Sequence, residues 1–241
     1  MTTSGPPVAL ERHGPGVVHL TLDRPSRGNL LDAAVLDALE EHLAGLAADQ
    51  EVAVAVLRGR GPDFCLGRDR GVGGPPPPAK VFAGLDQVQR VNQALGAFPG
   101  ISVAGVRGRA LGAGASLAAR CDLVVAADTA RLAFPEVHDA IAPMIVMSHF
   151  GKVLPEKPFL DLVLTGREVS ADEAQRIGLV SRVVPEQDLE PAVEGLTKEL
   201  AATDRETLRL CKAFYRRLGR MDTEDAAAYG VALTAVVLGR S

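Results

Sequence analysis

One glutamate has surroundings that suit proton transfer. Glu136 follows Pro135 and lies between apolar residues, with Leu132 to Phe134 before it and Val137 behind it. Burial among apolar groups disfavours the charged carboxylate and raises its pKa, which suits a group that accepts and returns protons near neutral pH. A glutamate on a surface loop would show the same local sequence, so the assignment depends on where the fold places this residue.

A glycine-rich stretch, residues 105–122, can supply backbone N–H donors to the same chemistry. Its loop contains Gly108, Gly112 and Gly114, and a run of small helix formers follows from Ala115 to Arg120. A turn of this kind that opens into a helix leaves N–H groups unpaired and directed outward. Such groups bind a phosphate or the oxygen of a polarised carbonyl. The alternative is that the small residues only let a helix pack closely on strands.

Two further candidates, His138 and Asp139, follow Glu136 almost directly. Histidine titrates near neutral pH and is a frequent acid or base, although a lone histidine beside an aspartate is more often structural. Glu136 and His138 share a face if the segment is extended, and they diverge if it is helical.

The elements that must position these residues alternate between strands and helices, and then become helical only. We predict strands at residues 8–11, 17–22, 52–57, 101–106, 123–127 and 179–184. We predict helical segments after Asp32, at residues 81–98, 115–120, 145–153, 157–164 and 170–176, and in three runs over residues 187–240. Four prolines, Pro75 to Pro78, predict a stiff exposed connector. This order implies an α/β core followed by a helical C-terminal section.

Composition narrows the class of protein. The chain has 241 residues, of which 47% are hydrophobic and 23% charged, and this is ordinary for a globular fold with a substantial core. A net charge of −4 gives no argument for a nucleic-acid partner or an anionic membrane surface. The three cysteines are widely spaced, which favours reduced thiols over disulfides or a metal site. We therefore predict a cytoplasmic protein with neither a nucleic-acid nor a membrane partner.

Five short motifs are distributed along nearly the whole chain. They are residues 22–29 (Leu-Asp-Arg-Pro-Ser-Arg-Gly-Asn), residues 64–69 (Phe-Cys-Leu-Gly-Arg-Asp), the glycine-rich stretch, residues 133–136 (Ala-Phe-Pro-Glu), and residues 164–180, which contain Leu-Thr-Gly, Ala-Asp-Glu-Ala and Gly-Leu-Val. Each motif is weak alone, but together their order and intervals resemble the enoyl-CoA hydratase/isomerase superfamily, also called the crotonase family.

The resemblance implies an α/β fold, a crotonase-like spiral of ββα units with a helical C-terminal section. Residues 1–190 would form the ββα core with the active site. Residues 191–241 would form a helical section that assembles the chain into a homotrimer or a dimer of trimers. The implied substrate is an acyl thioester of coenzyme A or of an acyl carrier. Coenzyme A would enter as part of that substrate, with no separate cofactor.

The resemblance also implies an oxyanion hole, two backbone N–H groups that stabilise an enolate. By motif position we expect Leu66 and Ala113 to be these donors, where the family commonly has Ala and Gly. Both residues donate through the backbone, so the hole survives the two changes. Their side chains would instead narrow the pocket near the thioester.

Hydratases of this family carry two glutamates, and only the one corresponding to Glu136 is present. Ser116 takes the place of the first, and its hydroxyl can hold a water molecule or a substrate hydroxyl but cannot act alone as a strong base. One carboxylate is enough to move a proton between carbons. Our leading hypothesis is therefore double-bond isomerisation of an enoyl-CoA with Glu136 as the single acid/base. Residues 141–145, which replace the glycine-rich turn typical of hydratases, further weaken the hydratase interpretation and indicate a differently shaped acyl pocket.

Two alternatives stay open beside isomerisation. One is an enoyl-CoA hydratase, a decarboxylase or a C–C hydrolase in which Ser116, His138 or Asp139 supplies the second function. The other is a non-catalytic protein that binds CoA thioesters and has kept the fold without the first glutamate.

Contacts to the CoA moiety are assigned to the arginines of the early motifs. Arg27 and Arg68 are candidates for phosphate or adenine contacts, because a guanidinium matches phosphate oxygens, although solvated surface charge explains each almost as well. Asp69 is grouped with them, and we expect it to close its own loop by accepting backbone N–H bonds.

Overall fold

The computed structural model describes residues 5–71 and 77–239, which form two compact units. The first unit ends at Ala202, and the second begins at Thr203. The division falls later than the boundary after residue 190 that we expected from the sequence. The predicted proline connector, Pro75 to Pro78, lies partly outside the described residues.

Short strands form two sheets in the first unit. In the described part of the chain the strands are β1 (Val8–Arg12), β2 (Val17–Leu22), β3 (Val54–Gly59), β4 (Ile101–Val106), β5 (Arg109–Leu111), β6 (Leu123–Ala127), β7 (Arg131–Ala133), β8 (Val169–Ser170) and β9 (Arg182–Val184). The main sheet has the order β1-β2-β3-β4-β6-β9, in which β1 and β2 are antiparallel and the other neighbours are parallel. The smaller sheet has the order β5-β7-β8.

Helices follow the strands in a repeating order. The described α-helices are α1 (Ala33–Ala48), α2 (Pro78–Ala97), α3 (Ala113–Arg120), α4 (Met144–Phe150), α5 (Glu156–Thr165), α6 (Ala171–Arg176), α7 (Leu189–Ala202), α8 (Arg205–Leu218) and α9 (Thr223–Leu238). Short 3₁₀ helices occur at Pro25–Arg27, Pro135–Asp139 and Glu186–Asp188. The order strand–strand–helix thus recurs as β1-β2-α1, β4-β5-α3 and β6-β7-α4.

Burial of the parallel strands and of one face of each neighbouring helix forms the core of the first unit. Every residue of β2 and β4 is buried, as is typical of strands covered on both sides. In α1 the side chain of Asp32 accepts a hydrogen bond from the Val35 N–H, and four leucines at helical spacing are buried. These are Leu36, Leu39, Leu43 and Leu46, so the helix predicted after Asp32 is confirmed. Helix α7 packs on β3, β4 and β6, which explains why the first unit extends to Ala202.

Three local predictions differ from the structure. Pro78 does not belong to a connector but begins α2, because proline is tolerated in the first turn, where its missing N–H is not needed. Pro75 and Pro76 lie outside the described residues. The strand predicted at 179–184 is confined to β9, since the N–H groups of Leu179 and Val180 donate to Ala174 at the end of α6. Strand β5 is only three residues long and was not predicted.

The second unit consists of α8 and α9. Asp204 and Asp222 cap these helices by accepting hydrogen bonds from the N–H groups of Thr207 and Asp225. The predicted helical periodicity of this section is confirmed, although several apolar side chains of α9, such as Val231 and Leu238, are exposed. None of the described helices combines the length and the apolar character that a membrane crossing needs.

Asn29 joins the chain before α1 to the loop that follows β3. Its side chain is buried, and its backbone has a φ of 53°, a conformation that asparagine tolerates better than most residues. Its Oδ1 accepts from the Arg24 N–H at 2.9 Å. Its Nδ2 lies 3.0, 2.9 and 3.2 Å from the carbonyl oxygens of Arg60, Asp63 and Phe64. This one side chain therefore fixes the start of the loop that enters the candidate site.

Replacing Asn29 tests this role. We expect Asn29→Ala to lower the free energy of unfolding by about 2–4 kcal/mol, because buried carbonyl groups lose their donor and the positive φ becomes strained. Urea denaturation of both proteins measures the change. Asn29→Gly is the matched control, since glycine accepts the φ but has no amide. A glycine variant as stable as the wild type would show that the amide hydrogen bonds are not what holds the loop.

Candidate active site

A cavity of about 460 Å³ lies within the first unit, next to the start of α3. Its walls come from the loop of residues 66–70, from α2, from the first turn of α3, from the 3₁₀ helix Pro135–Asp139 and from residues 141–146. Most lining side chains are apolar; the charged or hydroxyl-bearing ones are Arg68, Arg70, Ser116, Glu136 and Asp139. Among the described residues, no group of His, Cys, Asp or Glu side chains is arranged to hold a metal ion.

The start of α3 presents a backbone donor to this cavity. Gly112 precedes the helix with φ 52° and ψ −119°, a conformation reserved in practice for glycine. Its own N–H donates to Ala133, and its carbonyl accepts from Ser116 as the first bond of the helix. The N–H of Ala113 belongs to the first turn, where the helix supplies no acceptor, and it has none among the described residues. The predicted donor Ala113 therefore lines the cavity with an unpaired amide.

The prediction that the Leu66 N–H is the second donor is wrong. This N–H already donates to the carbonyl of Gly28 at 2.9 Å, although the Leu66 side chain lines the cavity. In the next residue, the carbonyl of Gly67 accepts from the N–H of Leu31 at 2.9 Å. Because the peptide between Gly67 and Arg68 is trans, the Arg68 N–H points away from Leu31. Arg68 lines the cavity, and its N–H has no acceptor in the described chain, so it replaces Leu66 as the second donor candidate.

Gly67 brings these two amides into the same region. It has a φ of 103°, and a Cβ atom at this position would lie 3.0 Å from the carbonyl oxygen of Leu111 and 4.0 Å from the nitrogen of Ala113. The loop that carries Arg68 therefore approaches the start of α3 so closely that only glycine fits between them. This contact places both candidate amides at one end of the cavity.

Glu136 lies against the same helix start. A Cβ atom at Gly112 would be 3.0 Å from its Oε1, while its Oε2 is buried and has no hydrogen-bond partner. Burial is the main cause of a raised pKa for this carboxyl, and the nearby negative charge of Asp139 raises it further. A hydrogen bond to its own backbone and the positive charge of Arg70 lower it in part. The expected raised pKa of Glu136 is therefore present, with desolvation as its first cause.

The 3₁₀ helix decides which neighbours of Glu136 reach the cavity. Side chains three residues apart eclipse each other in such a helix, so Glu136 and Asp139 both line the cavity. His138 is not among the lining residues, because its Nε2 lies 2.7 Å from the carbonyl oxygen of Thr165 and beside Gly166. The predicted catalytic role of His138 thus lacks structural support, and the helical alternative considered for this segment is the one observed.

An ion pair connects the loop of residues 66–70 to the 3₁₀ helix Pro135–Asp139, both of which line the cavity. Arg70 Nη1 lies 2.6 Å from Asp139 Oδ2, although both side chains are about half exposed. The pair joins the loop of the amide donor to the turn that carries Glu136. An exposed pair of this kind contributes little to stability, but its two charges lie close enough to Glu136 to act on its pKa in opposite senses.

Ser116 supplies the remaining polar atom inside the cavity. Only 1% of the residue is exposed, and its Oγ has no partner among the described residues. A buried hydroxyl without a partner is costly unless a ligand or water satisfies it. The expected capacity of Ser116 to hold a water molecule or a hydroxyl therefore has a geometric basis.

The predicted CoA contacts divide into two groups. Arg68 lines the cavity, whereas Arg27 and Asp69 do not. Arg27 is ion-paired with Asp69 at 2.5 Å and with Asp32 at 3.1 Å, so its guanidinium already has carboxylate partners. Asp69 accepts from the Gly71 N–H at 2.9 Å, which confirms that it closes its own loop.

The close approach of Glu136 to Gly112 yields a test. We expect Gly112→Ala to lower the melting temperature and to cost about 1–3 kcal/mol, because the new methyl group would strain the backbone and displace the carboxylate. Gly195→Ala is the control, since this position on α7 has no atom within 4 Å of an added Cβ and should be neutral or slightly stabilising. Equal stabilities of wild type and Gly112→Ala, measured by calorimetry, would contradict the geometry.

The charges near Glu136 yield a second test. Asp139→Asn removes a negative neighbour and frees the positive charge of Arg70, so the pKa of Glu136 should fall. Arg70→Gln leaves Asp139 unneutralised, so the pKa should rise. Carbon-13 NMR of carboxyl-labelled protein, with the Glu136 signal assigned by its absence in Glu136→Gln, measures both shifts. The account fails if the two variants shift the pKa in the same direction, or leave it unchanged.

Comparison with known proteins identifies the family of this chain. The family model described as enoyl-CoA hydratase/isomerase matches residues 12–233. The mitochondrial enoyl-CoA hydratase domain-containing protein 3 of Rattus norvegicus is 32% identical over 239 residues, which cover 97% of this chain and 78% of that protein.

Two solved structures show the same fold. An enoyl-CoA hydratase from Mycobacterium smegmatis has a TM-score of 0.92 and 32% identity, and the match covers 97% of this chain and 91% of that one. A putative enoyl-CoA hydratase from Thermobifida fusca YX, solved in complex with CoA, has a TM-score of 0.87 and 28% identity, with coverage of 98% and 94%. The chain therefore has the crotonase fold and belongs to the enoyl-CoA hydratase/isomerase family.

Proposed function

We propose that this protein is an enzyme that isomerises the double bond of an enoyl-CoA thioester. The amides of Arg68 and Ala113 hold the thioester oxygen. Glu136 removes a proton from one carbon of the acyl group, the electron pair delocalises toward the held oxygen as an enolate, and the same carboxyl returns the proton to another carbon. The observation that carries this proposal is the unpartnered Oε2 of Glu136 beside two unpaired amides in one cavity.

The two amides supply the stabilisation that this chemistry needs. Enolate formation places negative charge on the thioester oxygen, and fixed N–H donors in a partly desolvated site stabilise that charge without reorganising. Loss of one such donor commonly costs about a hundredfold to a thousandfold in rate. Neither donor depends on a side chain, which is why Ala113 can act as a donor although the family commonly has glycine at this position.

A single carboxyl group is consistent with isomerisation. Asp139 lines the cavity but is paired with Arg70, and Ser116 occupies the place of the second glutamate of hydratases. Glu136 is thus the carboxyl available to exchange protons with the ligand. Its raised pKa favours a group that is protonated and deprotonated in turn within one catalytic cycle.

Coenzyme A is the carrier that we assign to the substrate. Support comes from the family and from the related Thermobifida fusca structure in complex with CoA. CoA enters and leaves with the acyl group, so the proposed reaction uses no further cofactor. An acyl carrier protein that presents the same thioester is the alternative carrier.

Hydration is the second candidate, because Ser116 offers a buried hydroxyl without a partner. In this reaction Ser116 holds a water molecule that Glu136 activates for addition to the enoyl double bond. The name of the Mycobacterium smegmatis relative, an enoyl-CoA hydratase, is consistent with this alternative.

A homotrimer or a dimer of trimers remains our proposal for the assembly. Its support within the second unit is the exposure of Val231 and Leu238 on α9, since exposed apolar side chains favour association. A cytoplasmic location also remains a prediction, because the name of the Rattus norvegicus relative places that protein in mitochondria.

Removal of the carboxyl group tests the central assignment. We expect Glu136→Gln to abolish deuterium exchange at the acyl carbons of a CoA thioester in heavy water, as followed by mass spectrometry, while binding of the thioester persists. Glu156→Gln, on the exposed start of α5, is the matched control and should exchange normally. Exchange at the wild-type rate in Glu136→Gln would exclude Glu136 as the proton carrier. A wild-type protein that binds a panel of enoyl-CoA esters without turnover would instead favour the non-catalytic alternative.

Ser116→Ala separates isomerisation from hydration. If isomerisation is the reaction, the variant should retain its rate to within about tenfold, because the hydroxyl does not transfer the proton. Mass spectrometry of the products distinguishes the reactions, since hydration adds the mass of water and isomerisation adds none. Water addition by the wild type that disappears in Ser116→Ala would establish the second candidate in place of the first.

A further inference from the structure

We propose that the guanidinium of Arg68 receives a carboxylate on the acyl group, so that the preferred substrates are CoA thioesters with a negative charge a few carbons from the thioester. This inference rests on the proposed function in one respect, the placement of the thioester oxygen on the Arg68 amide. It adds a substrate class that the motifs alone do not specify.

The charges in the cavity leave Arg68 without a partner. Of the other charged lining residues, Arg70 and Asp139 pair with each other, and Glu136 lies against Gly112. No carboxylate of the described chain pairs with Arg68, and residues 1–4, 72–76 and 240–241 contain neither Asp nor Glu. An anionic ligand would supply the missing carboxylate, and a guanidinium binds a carboxylate through two parallel hydrogen bonds.

The Arg68 side chain lies along the wall of the cavity. Its Nη1 is 3.6 Å from the position that a Cβ atom would take at Gly84 of α2. Leu85 and Val88 of the same helix line the cavity. The guanidinium therefore adjoins the apolar surface on which the methylene groups of an acyl chain would pack.

The length of the side chain distinguishes an acyl carboxylate from a CoA phosphate. If the Arg68 amide binds the thioester oxygen, the guanidinium of the same residue can reach only a short distance from that oxygen. The extended pantetheine arm between the thioester and the CoA phosphates is much longer than an arginine side chain. A carboxylate on a short acyl chain is within reach, whereas the phosphate contact first expected for Arg68 would require a folded arm.

Binding of saturated thioesters tests this inference without any chemical step. The probes are succinyl-, glutaryl- and adipyl-CoA, each compared by calorimetry with the neutral ester of matched chain length, butanoyl-, pentanoyl- or hexanoyl-CoA. We expect the wild type to bind at least one charged ester about tenfold or more tightly than its neutral partner, as one charged hydrogen-bonded contact provides. In Arg68→Gln the preference should vanish, while the affinity for the neutral ester stays within about twofold.

Control variants separate this contact from general effects of charge and folding. Arg68→Lys should keep part of the preference, since the charge remains without the planar fork. Arg90→Gln removes an arginine of α2 that is paired with Glu40 outside the cavity, and it should leave every affinity unchanged. Melting curves identify any variant that fails to fold. If Arg68→Gln does not fold, the wild type is compared with Arg68→Lys alone.

Three results would overturn the inference. The first is a wild type that shows no preference for the charged ester in any matched pair. The second is an equal loss of affinity for charged and neutral esters in Arg68→Gln, which would indicate a contact to a CoA phosphate. The third is a preference for the charged ester that survives in Arg68→Gln. Because binding of a saturated ester involves no isomerisation, the preference can be measured on the wild type whether or not the protein isomerises an enoyl-CoA. A failure of the proposed chemistry would therefore leave this result unaffected.

Discussion

The absence of a side chain at Gly112 is the constraint on which the rest of the candidate site depends. Its backbone turns with a positive φ into α3, so that the amide of Ala113 faces the cavity without an acceptor. The same missing side chain leaves the space in which the Glu136 carboxyl lies. One residue thus brings the candidate oxyanion donor and the proposed proton carrier to the same place, and we expect any larger residue to separate the two.

The second candidate donor, the Arg68 amide, depends on a loop that hydrogen bonds hold on both sides. The buried Asn29 fixes the start of this loop, and the N–H of Leu31 holds the carbonyl of Gly67 on one side. In a trans peptide the carbonyl and the N–H point in opposite directions, so the N–H of Arg68 points away from Leu31. The hydrogen bonds of the surrounding backbone therefore preorganise the donor, which is the property that makes such a group effective against developing negative charge.

Much of this arrangement follows from sequence, and the remainder has identifiable physical causes. The leucines of α1 and the apolar strands repeat with helix or strand periods, so burial could be predicted from them. The second donor could not be predicted, because a motif gives residue types but not the side to which a peptide N–H points. The motif indicates Leu66, whereas the adjoining peptides favour Arg68. The chemistry of histidine favours His138 as an acid or base, whereas the 3₁₀ helix directs Asp139 to the cavity instead. The pairing of Arg70 with Asp139 joins distant segments and leaves no local pattern.

The most direct test of the account is a crystal structure of the protein with a saturated acyl-CoA bound. We predict that the thioester oxygen lies about 2.7–3.1 Å from the amide nitrogens of both Arg68 and Ala113, with the carboxyl of Glu136 facing the carbons next to the thioester. A thioester oxygen bound elsewhere, with these two amides unengaged or with Glu136 directed away from the acyl chain, would contradict it.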